Sequence, residues 1–281
     1  MNAPSLLALQ VGNTRVQLGR FVDDKLEESH RFSTTDLAAI LSDVTRMWND
    51  LRADGNAAIA LASVNEKVSS SLVSMLEDQL GVDVYRIGDD IPVPIGEALD
   101  PETIVGADRL LNAAAAWDRM KQACVIVDAG TAVTVDFIDG AGTFQGGAIA
   151  PGVRLQLTAL HEHTDALPLI EFRRPTADAF GRNTSEAMLR GVFEGVRGLV
   201  WRLVERYAES YGAFPPVIAT GGDAEVLFAN DELVDRIVPD LTLQGMAVAV
   251  RYALTDGSLE RGPASGSASD SEDDASPRDD E

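Results

Sequence analysis

The residues best suited to chemistry in this chain sit in three glycine turns. Val11-Gly12-Asn13-Thr14 and Asp128-Ala129-Gly130-Thr131 each follow an apolar run and precede an alternating one; Thr220-Gly221-Gly222-Asp223-Ala224 follows the apolar run Pro216-Val217-Ile218. Glycine has no Cβ, so such turns let backbone N–H groups approach a phosphate closely, with hydroxyl and amide side chains beside them. An apolar strand, a Gly-Gly pair and then a helical stretch is also the layout in which a helix N-terminus meets an anion. Thiol and imidazole chemistry is poorly provided for. The single cysteine, Cys124, lies in an apolar run and reads as a small buried hydrophobe. One thiol allows neither an intramolecular disulfide nor a multi-thiolate metal site. Of the three histidines, His30 stands alone, and His161 and His163 are two apart, which does not put both on one helix face. No histidine-based metal site is expected.

The elements that must position these turns follow from periodicity. Residues 5–10 are apolar, residues 15–21 alternate, and a turn follows at Val22-Asp23-Asp24-Lys25. The plan returns with the apolar residues 124–127, the alternating residues 132–138 and a turn at Asp139-Gly140-Ala141-Gly142. Both stretches read as β-hairpins with a glycine turn between the strands. One such turn is weak evidence; two in the same context predict two related half-molecules facing each other across a cleft. Helical stretches at 106–120, 187–209 and 244–254 alternate with the hairpins, which predicts an α/β fold with mixed sheets.

Composition narrows the function further. Lysine plus arginine total 23 against 45 acids, a formal charge of −22. Nucleic-acid backbone and anionic membrane surfaces both require clustered cations, so neither is an expected partner. Residues 257–281 hold eight acids, two bases and one large aliphatic residue, and are expected to be a disordered acidic tail. The preceding 256 residues still carry −16. Arg182, Arg190, Arg197 and Arg202 are interspersed with acids and read as a solvated helix face. No apolar run approaches a membrane span and no signal peptide is evident, so a soluble, cytoplasmic protein is expected.

Seven motifs in order carry a family resemblance: Val11-Gly12-Asn13-Thr14, Gly106-Ala107-Asp108-Arg109, Asp128-Ala129-Gly130-Thr131-Ala132-Val133-Thr134, Gly146-Gly147-Ala148-Ile149-Ala150-Pro151-Gly152, His163-Thr164-Asp165-Ala166-Leu167-Pro168, Gly181-Arg182-Asn183-Thr184 and Thr220-Gly221-Gly222-Asp223-Ala224. The chain thereby resembles type III pantothenate kinases, within the ASKHA superfamily of acetate and sugar kinases, heat-shock ATPases and actin. The resemblance implies an actin-like, ribonuclease H-like α/β fold in two duplicated domains, expected at residues 1–117 and 118–256, with a nucleotide cleft between them. It implies transfer of the ATP γ-phosphoryl group to the primary hydroxyl of pantothenate, the first step of coenzyme A synthesis.

The same resemblance assigns residues. Gln10, Gly12, Asn13, Thr14, Gln17, Thr131, Gly221 and Gly222 fall at nucleotide-binding positions. Gly106, Ala107, Asp108, Arg109 and Thr184 fall at pantothenate-binding positions. Asp108 is the implied base, a carboxylate being suited to accept the hydroxyl proton; an acidic residue simply opening a helix is the other reading. Arg109 is the implied holder of the pantothenate carboxylate, to which its forked donors are suited; a surface ion pair is its other reading. Thr184 has an alternative as a helix N-cap. Asp128 is the implied ligand of a monovalent cation, potassium or ammonium. Mg²⁺ and a homodimer with the pantothenate site near its interface are also implied.

Three positions depart from the family pattern. The first phosphate motif normally opens on Asp, and here the position is Gln10, which keeps an acceptor oxygen but loses the charge that favours Mg²⁺. A Lys commonly found seven residues later is Gln17. A Tyr that often precedes the Gly-x-Asp-Arg motif is absent from residues 91–105, with Leu99 nearest its place. Two other functions stay open on these grounds: a catalytically weakened or inactive homologue binding a ligand or partner, like the Bvg accessory factor, and an ASKHA kinase for another small hydroxy acid.

Overall fold

The structure is a computed structural model, and it describes residues 5–54 and 57–256; the expected disordered tail lies outside the described residues. The chain forms, in order, β1 (Ser5–Val11), β2 (Arg15–Val22), β3 (Lys25–Ser33), α1 (Leu37–Leu51), β4 (Ala57–Ser63), α2 (Glu66–Leu80), β5 (Val84–Arg86), β6 (Gly96–Glu97), α3 (Ala107–Met120), β7 (Cys124–Ala129), β8 (Ala132–Ile138), β9 (Thr143–Pro151), α4 (Val153–Glu162), α5 (Thr184–Tyr211), β10 (Val217–Thr220), α6 (Ala224–Phe228), β11 (Arg236–Ile237) and α7 (Leu241–Asp256).

One sheet has the order β3-β2-β1-β4-β5 and the other β11-β10-β7-β8-β9-β6. In the first, β1–β2 and β2–β3 are antiparallel while β1–β4 and β4–β5 are parallel. In the second, β7–β8 and β8–β9 are antiparallel while β7–β10 and β10–β11 are parallel. The two topologies superimpose strand for strand, and only β6 is extra, added to the free edge of β9. The duplication expected from the two hairpins thus extends over five strands.

Strand alternation decides what each sheet face carries. Leu7, Leu9, Val11, Val16 and Leu18 point to one side of the first sheet and pack under α1 and α2, while Leu6, Ala8 and Phe21 point to the other and meet α7. In the second sheet Val125, Val127, Ala129, Val133, Val135 and Phe137 face α4, α5 and α6; Cys124, Ile126 and Ile138 face α3. Helices α3 and α7 are therefore an inner layer between the sheets. They approach closely because α3 buries the alanine run Ala113–Ala116 and because α7 has Gly245 against the Leu111 carbonyl, where any Cβ would overlap it. Burial leaves Cys124 as the inert hydrophobe expected, its thiol pushed up to about 12.

Local signals end the elements where the sequence places them. Asn183 opens α5 by accepting the Glu186 N–H at 2.9 Å, and Gly212 closes it in a left-handed conformation, φ 81°. Thr184 is therefore the first helical residue and not the cap. The β2–β3 turn has both Asp23 and Asp24 at positive φ, the geometry that matches the twist of a two-residue hairpin. Arg197 departs from the solvated face expected of α5: it pairs with the buried carboxylate of Asp231. Among the described residues no helix is long and apolar enough to cross a membrane.

Candidate active site

The inward faces of both sheets end in polar residues at the glycine turns. Gln10 and Gln17 are register partners on β1 and β2, and Asp128 and Thr134 hold the corresponding places on β7 and β8. Gln10 is thus the neutral counterpart of Asp128 in the duplicated structure. The turns themselves close alike, Gly12 N–H donating to the Arg15 carbonyl at 2.8 Å and Gly130 N–H to the Ala132 carbonyl at 2.9 Å. They also meet: the hydroxyls of Thr14 and Thr131 lie 3.1 Å apart.

The third turn completes the junction. Gly221 has φ +94° and lies so close to Ala129 and the Asp128 carboxylate that a side chain there would overlap both. Asp223 N–H donates to the Ala129 carbonyl at 2.9 Å, and the buried Asp223 carboxylate accepts from Arg154 at 2.7 Å. Gly222 faces the first hairpin, its Cβ position 2.9 Å from Arg15 Nη1. Gln10, Gly12, Asn13, Thr14, Thr131, Gly221 and Gly222 therefore belong to one junction of three turns. Gln17 is turned to Asp240 at the start of α7, a carboxylate that also accepts from Arg31 at 3.0 Å.

The start of α3 supplies the second group. Gly106 caps the helix without a side chain, so Asp108 Oδ1 accepts the Arg109 N–H at 2.8 Å. Asp108 thus does open the helix, and among the described residues its carboxylate has backbone N–H partners only, those of Arg109 and of Asp108 itself. Burial raises its pKa, against the Arg109 contacts that lower it. The Arg109 guanidinium is held by Asp136 on β8 through Nε and Nη2, and Asp136 is only 2% exposed. Thr134 donates to the same carboxylate at 3.1 Å, and the guanidinium sits 5.4 Å from the centre of the Phe144 ring. The ion pair of Arg109 is thus a buried one, and its Nη1 makes no hydrogen bond among the described residues.

Asn112, one turn further along α3, donates to Asp128 at 3.1 Å and accepts from Thr242 of α7 at 2.8 Å, tying the inner helices to β7. Burial and the charges of Asp108 and Asp136 push the Asp128 carboxyl up to about 6 despite the Asn112 bond. Asp108 and Asp136 face the Arg109 guanidinium, whereas Asp128 beside them has no cationic partner among the described residues, leaving negative charge beside the turn junction.

Asp128 binds its proton more tightly folded than at its ordinary value of 3.8. Its favourable contribution is complete below that value and is lost as pH rises through about 6. Asp128→Asn should therefore stabilise the cation-free protein near pH 7.5 by about 1–3 kcal/mol, the range allowing for partial exposure, with the gain about halved near pH 5. Thermal melts at both pH values check this, and a gain independent of pH would refute it.

Sequence reasoning missed Asp136, Asn112, Thr242 and Asp240. Asn112 left a trace, an amide inside the buried run of α3; Asp136 left none, because it falls in the polar phase of β8, in step with Thr134. Thr184 is exposed at the start of α5, and among the described residues its side chain makes no hydrogen bond to the other expected site residues. Leu99 packs against Gly146, 3.3 Å from its Cβ position, so methyl groups fill the region where the family's Tyr is expected.

The topology, two sheets of one design closing on paired hairpin turns, defines an ASKHA fold of the actin-like ATPase type. It is shared with the activator of the 2-hydroxyisocaproyl-CoA dehydratase from Clostridium difficile, solved with bound ADPNP (TM-score 0.50, 13% identity, 92% of this chain and 100% of that one). A Baf family transcriptional activator structure from Campylobacter jejuni aligns with a TM-score of 0.59 at 20% identity, over 89% of this chain and 99% of that one. The family model described as type III pantothenate kinase matches residues 6–206. A protein named type III pantothenate kinase from Dehalococcoides mccartyi (strain CBDB1) is 34% identical over 247 residues, 86% of this chain and 93% of that one. The chain belongs to the type III pantothenate kinase family.

Membership implies ATP, a divalent metal ion and a small-molecule substrate. The residues fit a divalent ion of a particular kind. Among the described residues no three His, Cys, Asp or Glu side chains converge enough to hold a metal by themselves. Hard oxygen donors at Gln10 and Asp128, with surplus negative charge, suit an ion whose other ligands are phosphate oxygens and water.

Proposed function

We propose that this protein transfers the γ-phosphoryl group of ATP to the primary hydroxyl of pantothenate. The observation that carries the reading is the junction of the three glycine turns at the Thr14–Thr131 contact, with Asp108 near enough to Asp128 for their charges to interact. Residues 1–117 and 118–256 act as the two domains that close on the nucleotide, with α7 returning to the first sheet.

The chain's own groups divide the work. Backbone N–H groups and hydroxyls of the turns position the phosphates. Arg109, oriented by Asp136 through Nε and Nη2, offers Nη1 to the pantothenate carboxylate. Asp108 receives the hydroxyl proton as the oxygen attacks the γ-phosphorus, and its raised pKa makes it a better base than an exposed aspartate. Thr184 contacts pantothenate, and Asp128 holds potassium or ammonium near the phosphates. Mg²⁺, near Gln10, supplies charge neutralisation of the phosphate oxygens. The protein acts in the cytoplasm as a homodimer, a reading supported by the exposed apolar Ile149, Leu155, Leu169 and Phe180 between β9 and α5. Light scattering on the purified protein tests the dimer.

The acceptor is tested by mass spectrometry of products from a panel of small hydroxy acids. Pantothenate should be phosphorylated in preference to the others; a better non-pantothenate acceptor would overturn the assignment. Gln10 is tested separately. Restoring the carboxylate with Gln10→Asp should lower the Mg²⁺ concentration for half-maximal turnover several-fold, because a charged oxygen holds hydrated Mg²⁺ better than an amide. Unchanged Mg²⁺ dependence and unchanged turnover would show that the amide costs the site nothing.

A further inference from the structure

Arg15 is the cation that the resemblance leaves without a role. It ends the first glycine turn, its carbonyl accepting the Gly12 N–H at 2.8 Å, and its side chain crosses to the third turn, where Nη1 lies 2.9 Å from the Cβ position of Gly222. Any larger residue at 222 would have to displace the guanidinium. Gly221, the next residue back, packs on Asp128 and Ala129 of the second turn, so Arg15 touches the point where all three turns converge.

Three other arginines of the site elements are held: Arg31 by Asp240, Arg109 by Asp136 and Arg154 by Asp223. Arg15 is exposed and, among the described residues, its side chain makes no hydrogen bond, ion pair or ring contact. In a chain with 45 acids and 23 bases, an unpaired guanidinium between turns rich in glycine and threonine is placed for an anion. Its forked donors match the oxygens of a polyphosphate. Gln17, which could have carried a charge from β2, is neutral and committed to Asp240.

We propose that Arg15 is a phosphate-binding residue that grips the terminal phosphates of the nucleotide between the first and third glycine turns. The proposal rests on the reading of this junction as a nucleotide site, and not on the identity of the acceptor.

Calorimetric titration of the full chain with ATP and with AMP, both in Mg²⁺, tests it. Arg15→Ala should weaken ATP binding by about 10- to 100-fold, the loss expected for charge-assisted hydrogen bonds. AMP binding should change less than about twofold, because the donors act on phosphates that AMP lacks. Arg15→Lys should fall between, keeping the charge and losing the fork. ATP binding by Arg15→Ala equal to wild type would overturn the proposal, and so would an equal loss for ATP and AMP. Wild-type protein that binds neither nucleotide would overturn the underlying reading and the proposal together. ATP binding lost with Arg15 in a protein inactive on pantothenate would uphold the proposal while refuting the acceptor.

Discussion

Asp108→Asn is expected to lower kcat by about 10²- to 10⁴-fold, the usual contribution of a positioned general base. The substitution is nearly isosteric, and the amide oxygen can still accept the Arg109 N–H that Asp108 now accepts. The start of α3 should therefore survive, and the melting temperature should not fall, since a buried charge is removed. Binding of ATP and pantothenate should persist. The expected signature is a loss confined to the chemical step, visible as a fall in kcat with little change in either KM. A variant that keeps kcat within about threefold of wild type would remove Asp108 from the base role. Its conformation at the helix start would then be its whole function.

Arg109→Ala should fail twice. Removing the guanidinium leaves Asp136, 2% exposed, with Thr134 as its remaining side-chain partner. Breaking a buried pair by deleting one member costs about 3–5 kcal/mol, because the other charge stays buried and uncompensated. The melting temperature should drop accordingly. In enzyme that remains folded, the pantothenate KM should rise about 10- to 100-fold with the loss of a charge-assisted contact. A stability loss alone would follow from any structural role, so discrimination is the sharper measurement. Wild type should prefer pantothenate to its neutral analogue lacking the carboxylate, and Arg109→Ala should not. If that preference survives in the variant, the carboxylate is recognised elsewhere. Asp136→Asn gives the converse control, since it keeps the guanidinium and removes its anionic partner.

The parts of this architecture that repeat locally are legible in the sequence. The two hairpins and their glycine turns stand out because apolar runs, turn residues and alternating runs recur in the same order. The inner helices are legible from their periodicity, and α3 and α7 begin within a few residues of their expected starts. The two-residue strands β6 and β11 are not, because neither has enough residues to express an alternation; partners hold them. The site divides in the same way. Asp108, Arg109 and Asp128 lie inside motifs, whereas their supports come from elsewhere in the chain. Asp136 is 27 positions from Arg109, Thr242 is 130 from Asn112, and Asp240 is 223 from Gln17. No local pattern announces such pairings; the first exists because α3 packs on β8, and the other two because α7 returns to α3 and the first sheet. The Thr14–Thr131 contact has the same origin, two equivalent turns brought together by the duplication.

At Gln10 the two duplicated hairpins differ in charge: Asp128 keeps its carboxylate and its counterpart does not. The most direct test of the proposed kinase activity is ATP-dependent phosphorylation of pantothenate by the purified protein in Mg²⁺, with and without potassium, with Asp108→Asn run in parallel. Wild type should give 4'-phosphopantothenate, faster with potassium, and the variant almost none. Pantothenate bound but never phosphorylated by wild type would contradict this activity, and would mean that the pocket persists where the chemistry has been lost.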